Sequence, residues 1–180
     1  MYTFKHIQNA NQADLRKGLY LVILHAGRVP PHIGMLAGGF YHSLSVKGQD
    51  LDVPLEALLK NGSMRKIPSL FIRVHPHLVY DDQALSVYFK EEVKKYKRVD
   101  IGVATCLSPL KTFFASLWPV ETRDVNFLYE LLPVLEQNKL LGMASCMNME
   151  ELVKKGQFTL PFYTLDQINK GIETVRNEFN

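Results

Sequence analysis

Apolar residues change their rhythm along the chain. In the first half they come in short, dense runs. "LYLVIL" (Leu19–Leu24) and "IPSLFIRV" are rich in β-branched and aromatic residues and bounded by Gly or Pro, which predicts buried strands. "HIGML" and "FYHSLSV" flank Ala37-Gly38-Gly39 and predict a hairpin. "GRVPP" between the first strand and the hairpin must be a loop, because two prolines cannot join a central ladder. In "LDVPLEALLKNG", Asp52 or Val53 precedes Pro54 in the first turn and Asn61-Gly62 closes a short helix. From Asp81 or Asp82 to Tyr96 the apolar positions Leu85, Tyr88, Phe89, Val93 and Tyr96 follow a helical stripe. "VDIGVATC" reads as an extended approach to the helix "SPLKTFFASLW", whose Leu110, Phe113, Phe114 and Leu117 have core spacing.

The last third reads as helical. "VNFLYELLPVLEQNKLLG" is expected to bend or split at Pro133. "NMEELVKKG" and "TLDQINKGIETVRNEF" each open with a cap and a Glu or Gln three residues on. Residues 1–17 are a short helix or an arm. Strands gathered in the first half and helices in the second predict an α+β fold. With no linker or repeat, residues 1–180 read as one domain.

Composition narrows the function classes. The chain is 47% hydrophobic, which predicts an ordered core, and its net charge of +3 demands neither nucleic acid nor an anionic membrane. Two cysteines make no disulfide framework. The polar N-terminus carries no secretory signal and no apolar run can span a bilayer, so a cytoplasmic protein with reduced thiols and no integral membrane segment is expected. Oligomeric state is unreadable.

Three residues suggest chemistry. Cys106 lies just before a helix, where free N–H groups and the helix dipole favour a thiolate. Two starts are open for that helix. Ser108 as cap with Pro109 behind it leaves Cys106 outside. Thr105 as cap puts Cys106 on the helix end, and this is the preferred reading. His32 and His42 lie on the arms of the hairpin. A three-residue loop brings them to one face; a two-residue loop flips the parity and sets Ser43 beside His32 instead. Gly34, mid-strand, marks the close approach of a backbone or a ligand. His75 and His77 in "HPH" share a face, but no acidic, CxxC or HExxH companion makes a zinc set with them. Cys146, before the expected cap of "NMEELVKKG", is a core or loop residue.

These residues in this order resemble a family. "GLYLVILHAGRVPPHIGMLAGGFYHSLSVKG", a short helix, "SLFIRVHP" and "YKRVDIGVATCLSPLKTFF" are similar to the circularly permuted NlpC/P60 papain-like superfamily, which includes lecithin:retinol acyltransferase relatives and bacterial YiiX/YaeF-like proteins. The likeness covers residues 18–118 as a core, with 119–180 a helical extension that matches nothing. It implies a papain-like antiparallel sheet packed against a Cys-bearing helix, and a cysteine hydrolase or acyltransferase acting on an amide, ester or thioester. Cys106 would be the nucleophile, His32 the base and His42 the orienting residue, with Gly34, Tyr41, Ser43 and Arg28 as substrate contacts. Neither cofactor nor metal is implied, and the partner is a small-molecule, peptide or lipid substrate. The rivals are a peptide- or lipid-binding module of the same fold and a metal site at His75 and His77.

Overall fold

The computed structural model of the chain describes residues 1–178. The elements run β1 (Thr3–Phe4), β2 (Gln8–Asn9), α1 (Gln12–Leu15), β3 (Leu19–Leu24), β4 (His32–Ala37), β5 (Phe40–Leu44), β6 (Gln49–Pro54), α2 (Leu55–Met64), β7 (Ser69–Val74), α3 (Asp82–Lys94), α4 (Ser108–Leu117), α5 (Leu128–Gln137), β8 (Leu141–Met147), β9 (Phe158–Thr159) and α6 (Leu165–Asn177). The fold is α+β. Seven strands form one sheet in the order β2-β8-β7-β3-β4-β5-β6, and β1 pairs with β9 apart from it. Every neighbour in the large sheet is antiparallel except β2 with β8.

β3 occupies the middle because its residues are apolar on both faces. It pairs with β4 on one side and β7 on the other. Leu19, Leu21 and Ile23 point into a large core built with α3, α4, α5 and α6, while Tyr20 and Val22 point into a smaller one with α1 and α2. The alternation characteristic of strands thus decides which helix layer each residue meets. In the large core Phe89, Phe113 and Phe114 are fully buried and meet edge to face, with ring centres 5.3 Å apart for Phe89–Phe113. Burying each such ring is worth about 1.5–3 kcal/mol.

The hairpin turns on two residues, since Ala37 pairs with Phe40. Gly38 and Gly39 both have positive φ, 56° and 82°. Such a turn matches the twist of the flanking strands and needs residues free of the Cβ penalty at both central positions.

Several expectations change. "LDVP" is strand, ending in β6, and the helix starts only at Leu55 with Pro54 before it. α5 runs through Pro133 without interruption. The lost backbone bond is outweighed by burying Leu128, Leu131, Leu132 and Leu135 on one side. The last third is not wholly helical: "LGMASCM" is β8, inserted between β2 and β7, so this part of the chain completes the sheet. "NMEELVKKG" forms turns rather than a helix, and Cys146 sits within β8 opposite Leu70. "VDIGVATC" is a turn closed by an isolated bridge from Asp100 to Ala104. The Thr164–Gln167 capping box forms as expected and starts α6; the last residue of that expected helix, Phe179, lies outside the described residues. Among the described residues no helix is long and apolar enough to cross a membrane.

Candidate thiol site

Cys106 stands one turn ahead of α4. Thr105 Oγ1 accepts from the Leu107 N–H at 3.2 Å, and Ser108 Oγ accepts from the Thr105 N–H at 3.0 Å. The pair works as a reciprocal cap, with Thr105 in the capping place. Pro109 has no N–H to offer the Thr105 carbonyl, so the Ser108 N–H takes it instead at 3.0 Å, one residue tighter than an α-turn. Regular helix begins at Ser108, so Cys106 lies outside it and the preferred start at Thr105 is corrected: Pro109 sits in the first helical turn, and the Thr105 side chain holds only the turn ahead of the helix.

Backbone N–H groups of Ile33, Cys106 and Leu107 face the sulfur and favour its anion, yet burial dominates and pushes the thiol up to about 11. At neutral pH Cys106 is a thiol, contrary to the expected helix-tip thiolate. Both cysteines are free.

On β4, His32 projects to the side shared with Gly34 and Leu36. The two-residue turn pairs Gly34 with Ser43 and Met35 with His42, so Ser43, not His42, lies on the His32 side. Ser43 is fully buried and makes two bonds: His32 Nε2 at 3.0 Å and Asp50 Oδ2, also at 3.0 Å. Its single hydrogen goes to the Asp50 carboxylate, so it accepts from His32, which fixes the proton on Nε2 and the lone pair on Nδ1. Asp50 reaches this position because β6 pairs Asp50 with Ser43. Burial holds the His32 imidazole down to about 4, opposed by Asp50 and aided by His25, so the ring is neutral at physiological pH.

The expected role of His42 is corrected by the same parity. His42 is buried on the opposite face. Its Nδ1 accepts the Asp52 N–H at 3.0 Å and its Nε2 bonds Ser86 Oγ on α3 at 2.8 Å. It fastens the edge of the sheet to α3 and lies away from Cys106's cavity. Gly34 and Tyr41 also change meaning. A Cβ on Gly34 would lie 2.6 Å from the His42 carbonyl oxygen and 2.7 Å from the Tyr41 ring, so the close approach is that of Tyr41 and its own strand. Tyr41 is buried across Gly34, not on the cavity wall.

Cys106 and His32 line one cavity of about 710 Å³. They stand on its wall without a hydrogen bond between them among the described residues. Arg28 and His25 also line it. The rest of the wall comes from residues the sequence reading did not single out. Tyr163 is buried there; its hydroxyl accepts the Leu128 N–H at 3.3 Å, and the sulfur lies within its electrostatic reach. Gln167, Ile168, Gly171 and Ile172 of α6 also line the cavity. Asp50 and Tyr163 carry no local signal. Their positions follow from strand register and from packing of the C-terminal segment.

The metal reading at "HPH" has no room. His77 Nε2 bonds the Leu117 carbonyl at 2.9 Å and its Nδ1 accepts the N–H groups of Val79 and Tyr80. Nδ1 is engaged by the turn that follows and Nε2 by the end of α4, and no group of three or more His, Cys, Asp or Glu suited to a metal occurs among the described residues. Compared with known proteins, the chain matches no family model, no curated protein and no solved structure.

Proposed function

We propose that the protein is a thiol acyl-transfer enzyme of papain-like chemistry, with Cys106 as nucleophile and His32 as general base. The observation that carries this reading is the Asp50–Ser43–His32 hydrogen-bond chain. It holds the His32 imidazole in one tautomer with Nδ1 unprotonated, and His32 and Cys106 both line one cavity. Ser43 and Asp50 would take the orienting role that the resemblance implied for His42. The family resemblance of residues 18–118 adds the order of base before nucleophile.

With a neutral thiol and a neutral ring at rest, the proton moves as the bond forms. His32 takes the Cys106 proton while the sulfur attacks a carbonyl carbon of an amide, ester or thioester. The carbonyl oxygen becomes an oxyanion. The backbone N–H groups facing the sulfur and the Tyr163 hydroxyl are the donors near it. Collapse returns the His32 proton to the leaving nitrogen, oxygen or sulfur and leaves an acyl thioester on Cys106. Water or an acceptor nucleophile then gives its proton to His32, attacks that thioester and frees the thiol. None of these steps calls for a cofactor. Val29, Ile33, Val46 and Leu128 give the cavity an apolar wall suited to an acyl or side-chain portion, and Arg28 suits a carboxylate or phosphate on the substrate.

Intact-mass measurement with p-nitrophenyl esters and acyl thioesters tests the reading. Wild type should gain one acyl group on Cys106, and Cys106→Ala should gain none there. His32→Asn should acylate about 10²-fold or more slowly. A second reading, a binding module for a peptide or lipid, is favoured by the raised thiol. Saturable ligand binding with no acylation of Cys106 by any of these esters would replace the first reading with the second.

A further inference from the structure

α6 forms one wall of the cavity without filling it. Ile168, Gly171, Ile172 and Val175 line the hollow together with the exposed Gln167 and Lys170. Of the whole helix only Ile168 and Ile172 are buried, and Leu165 is 60% exposed. A helix that lies over a void has few partner atoms beneath it and opens at low cost compared with one seated in a packed core.

The two ends of this segment are held differently. At the start Tyr163 is firmly placed: its carbonyl accepts the Tyr129 hydroxyl at 2.8 Å and its own hydroxyl accepts the Leu128 N–H. At the far end Arg176 Nη2 bonds Asp100 Oδ1, a half-exposed ion pair. Such a pair is weak and screened by salt. Among the described residues the buried Arg176 Nε has no partner, which disfavours the closed position. Between the ends, Gly171 packs on Pro30; a Cβ there would approach the proline ring to 3.1 Å. Asp100 is no remote anchor. Its carbonyl accepts the Val103 and Ala104 N–H groups in the turn that leads directly to Thr105 and Cys106.

We propose that α6 is a lid over the Cys106 cavity, pivoting after Tyr163 and latched by Arg176 on Asp100. It regulates access to the thiol site. Its meaning for turnover rests on the function proposed above, whereas its test reads access to the sulfur and needs no catalysis.

The test is the rate at which a bulky maleimide labels Cys106, measured in a Cys146→Ser background so that one thiol is read. Arg176→Gln removes the latch, and Gly171→Leu wedges the helix from Pro30. Each should raise the rate about two- to five-fold while the melting temperature stays within a few degrees. Reversing the pair with Asp100→Arg and Arg176→Asp together should bring the rate back to near that of wild type. Unchanged rates in both opening variants overturn the lid, and so does a rise that merely follows loss of global stability. Hydrogen exchange on the unmodified chain gives a second reading. Amides of α6 should exchange well before those of α3, α4 and α5, and a common rate for all four helices overturns the proposal. Should acylation fail while these rates behave as stated, the lid stands and the enzyme reading falls.

Discussion

At the scale of single residues, the same amino acid does opposite work on opposite faces of one hairpin. His32 is held by Ser43 at the cavity and His42 by Ser86 inside the core. Burial holds both rings down to about 4. The unfolded chain takes up these protons near pH 6.5, so between about 6.5 and 4 it binds more protons than the folded one. Stability is therefore complete above that window and is lost as the pH falls through it. For His42 the loss is on the order of 3 kcal/mol. His42→Asn keeps an acceptor for the Asp52 N–H but does not titrate. Chemical denaturation across this range should show a shallower acid slope in that variant; an unchanged slope would deny His42 its part. Gly34→Ala is a second test at this scale. Its methyl meets a carbonyl oxygen and an aromatic ring, neither of which can swing clear, so a destabilisation of about 1–3 kcal/mol is expected by urea denaturation.

At the scale of elements, local chemistry settled the turn before α4 and the turn of the hairpin. Thr105→Ala removes the acceptor for the Leu107 N–H and should cost about 1 kcal/mol of stability. It should also slow acylation of Cys106, because the turn that presents the sulfur loses its cap; a variant with lowered stability and full acylation rate would show that the cap serves the fold alone. The helices α3, α4 and α6 were legible from periodicity and capping boxes. β8 was not. "LLGMASCM" follows a leucine-rich helical stretch, and its strand conformation comes from ladder bonds to β7, a segment far away in the chain. "LDVP" misled for a related reason. Asp and Pro resemble a helix start, but β5 offered those residues a partner edge, and Asp52 took a positive φ of 53° to bring its N–H to His42.

At the scale of the whole molecule, the site draws on distant parts. In the proposed enzyme β4 would supply the base, β5 and β6 its support, the turn before α4 the sulfur and α6 the lid. The resting protonation of that pair makes a prediction for the proposed activity. A working thiolate–imidazolium pair would show a limb near neutrality. A neutral pair requires His32 unprotonated above about 4 and the Cys106 proton in place below about 11. The pH dependence of kcat/KM should therefore be flat across neutrality and fall toward acid as His32 protonates. A limb between pH 6 and 8 in stopped assays would contradict it.

The sequence by itself determined the α+β class, the central strand and the hairpin, because periodicity and turn residues act within a few positions. It left the parity of the hairpin open between His42 and Ser43. The structure fixed that parity through the two-residue turn and placed Asp50 behind Ser43 through the β5–β6 register, both between near neighbours. It also inserted β8 into the sheet and set α6 along the cavity, outcomes that depend on pairing and burial between segments far apart in the chain, where local propensity carries no information about which partner is met. Burial in the assembled core likewise decided the charge state of Cys106, against the pull of the backbone N–H groups beside it.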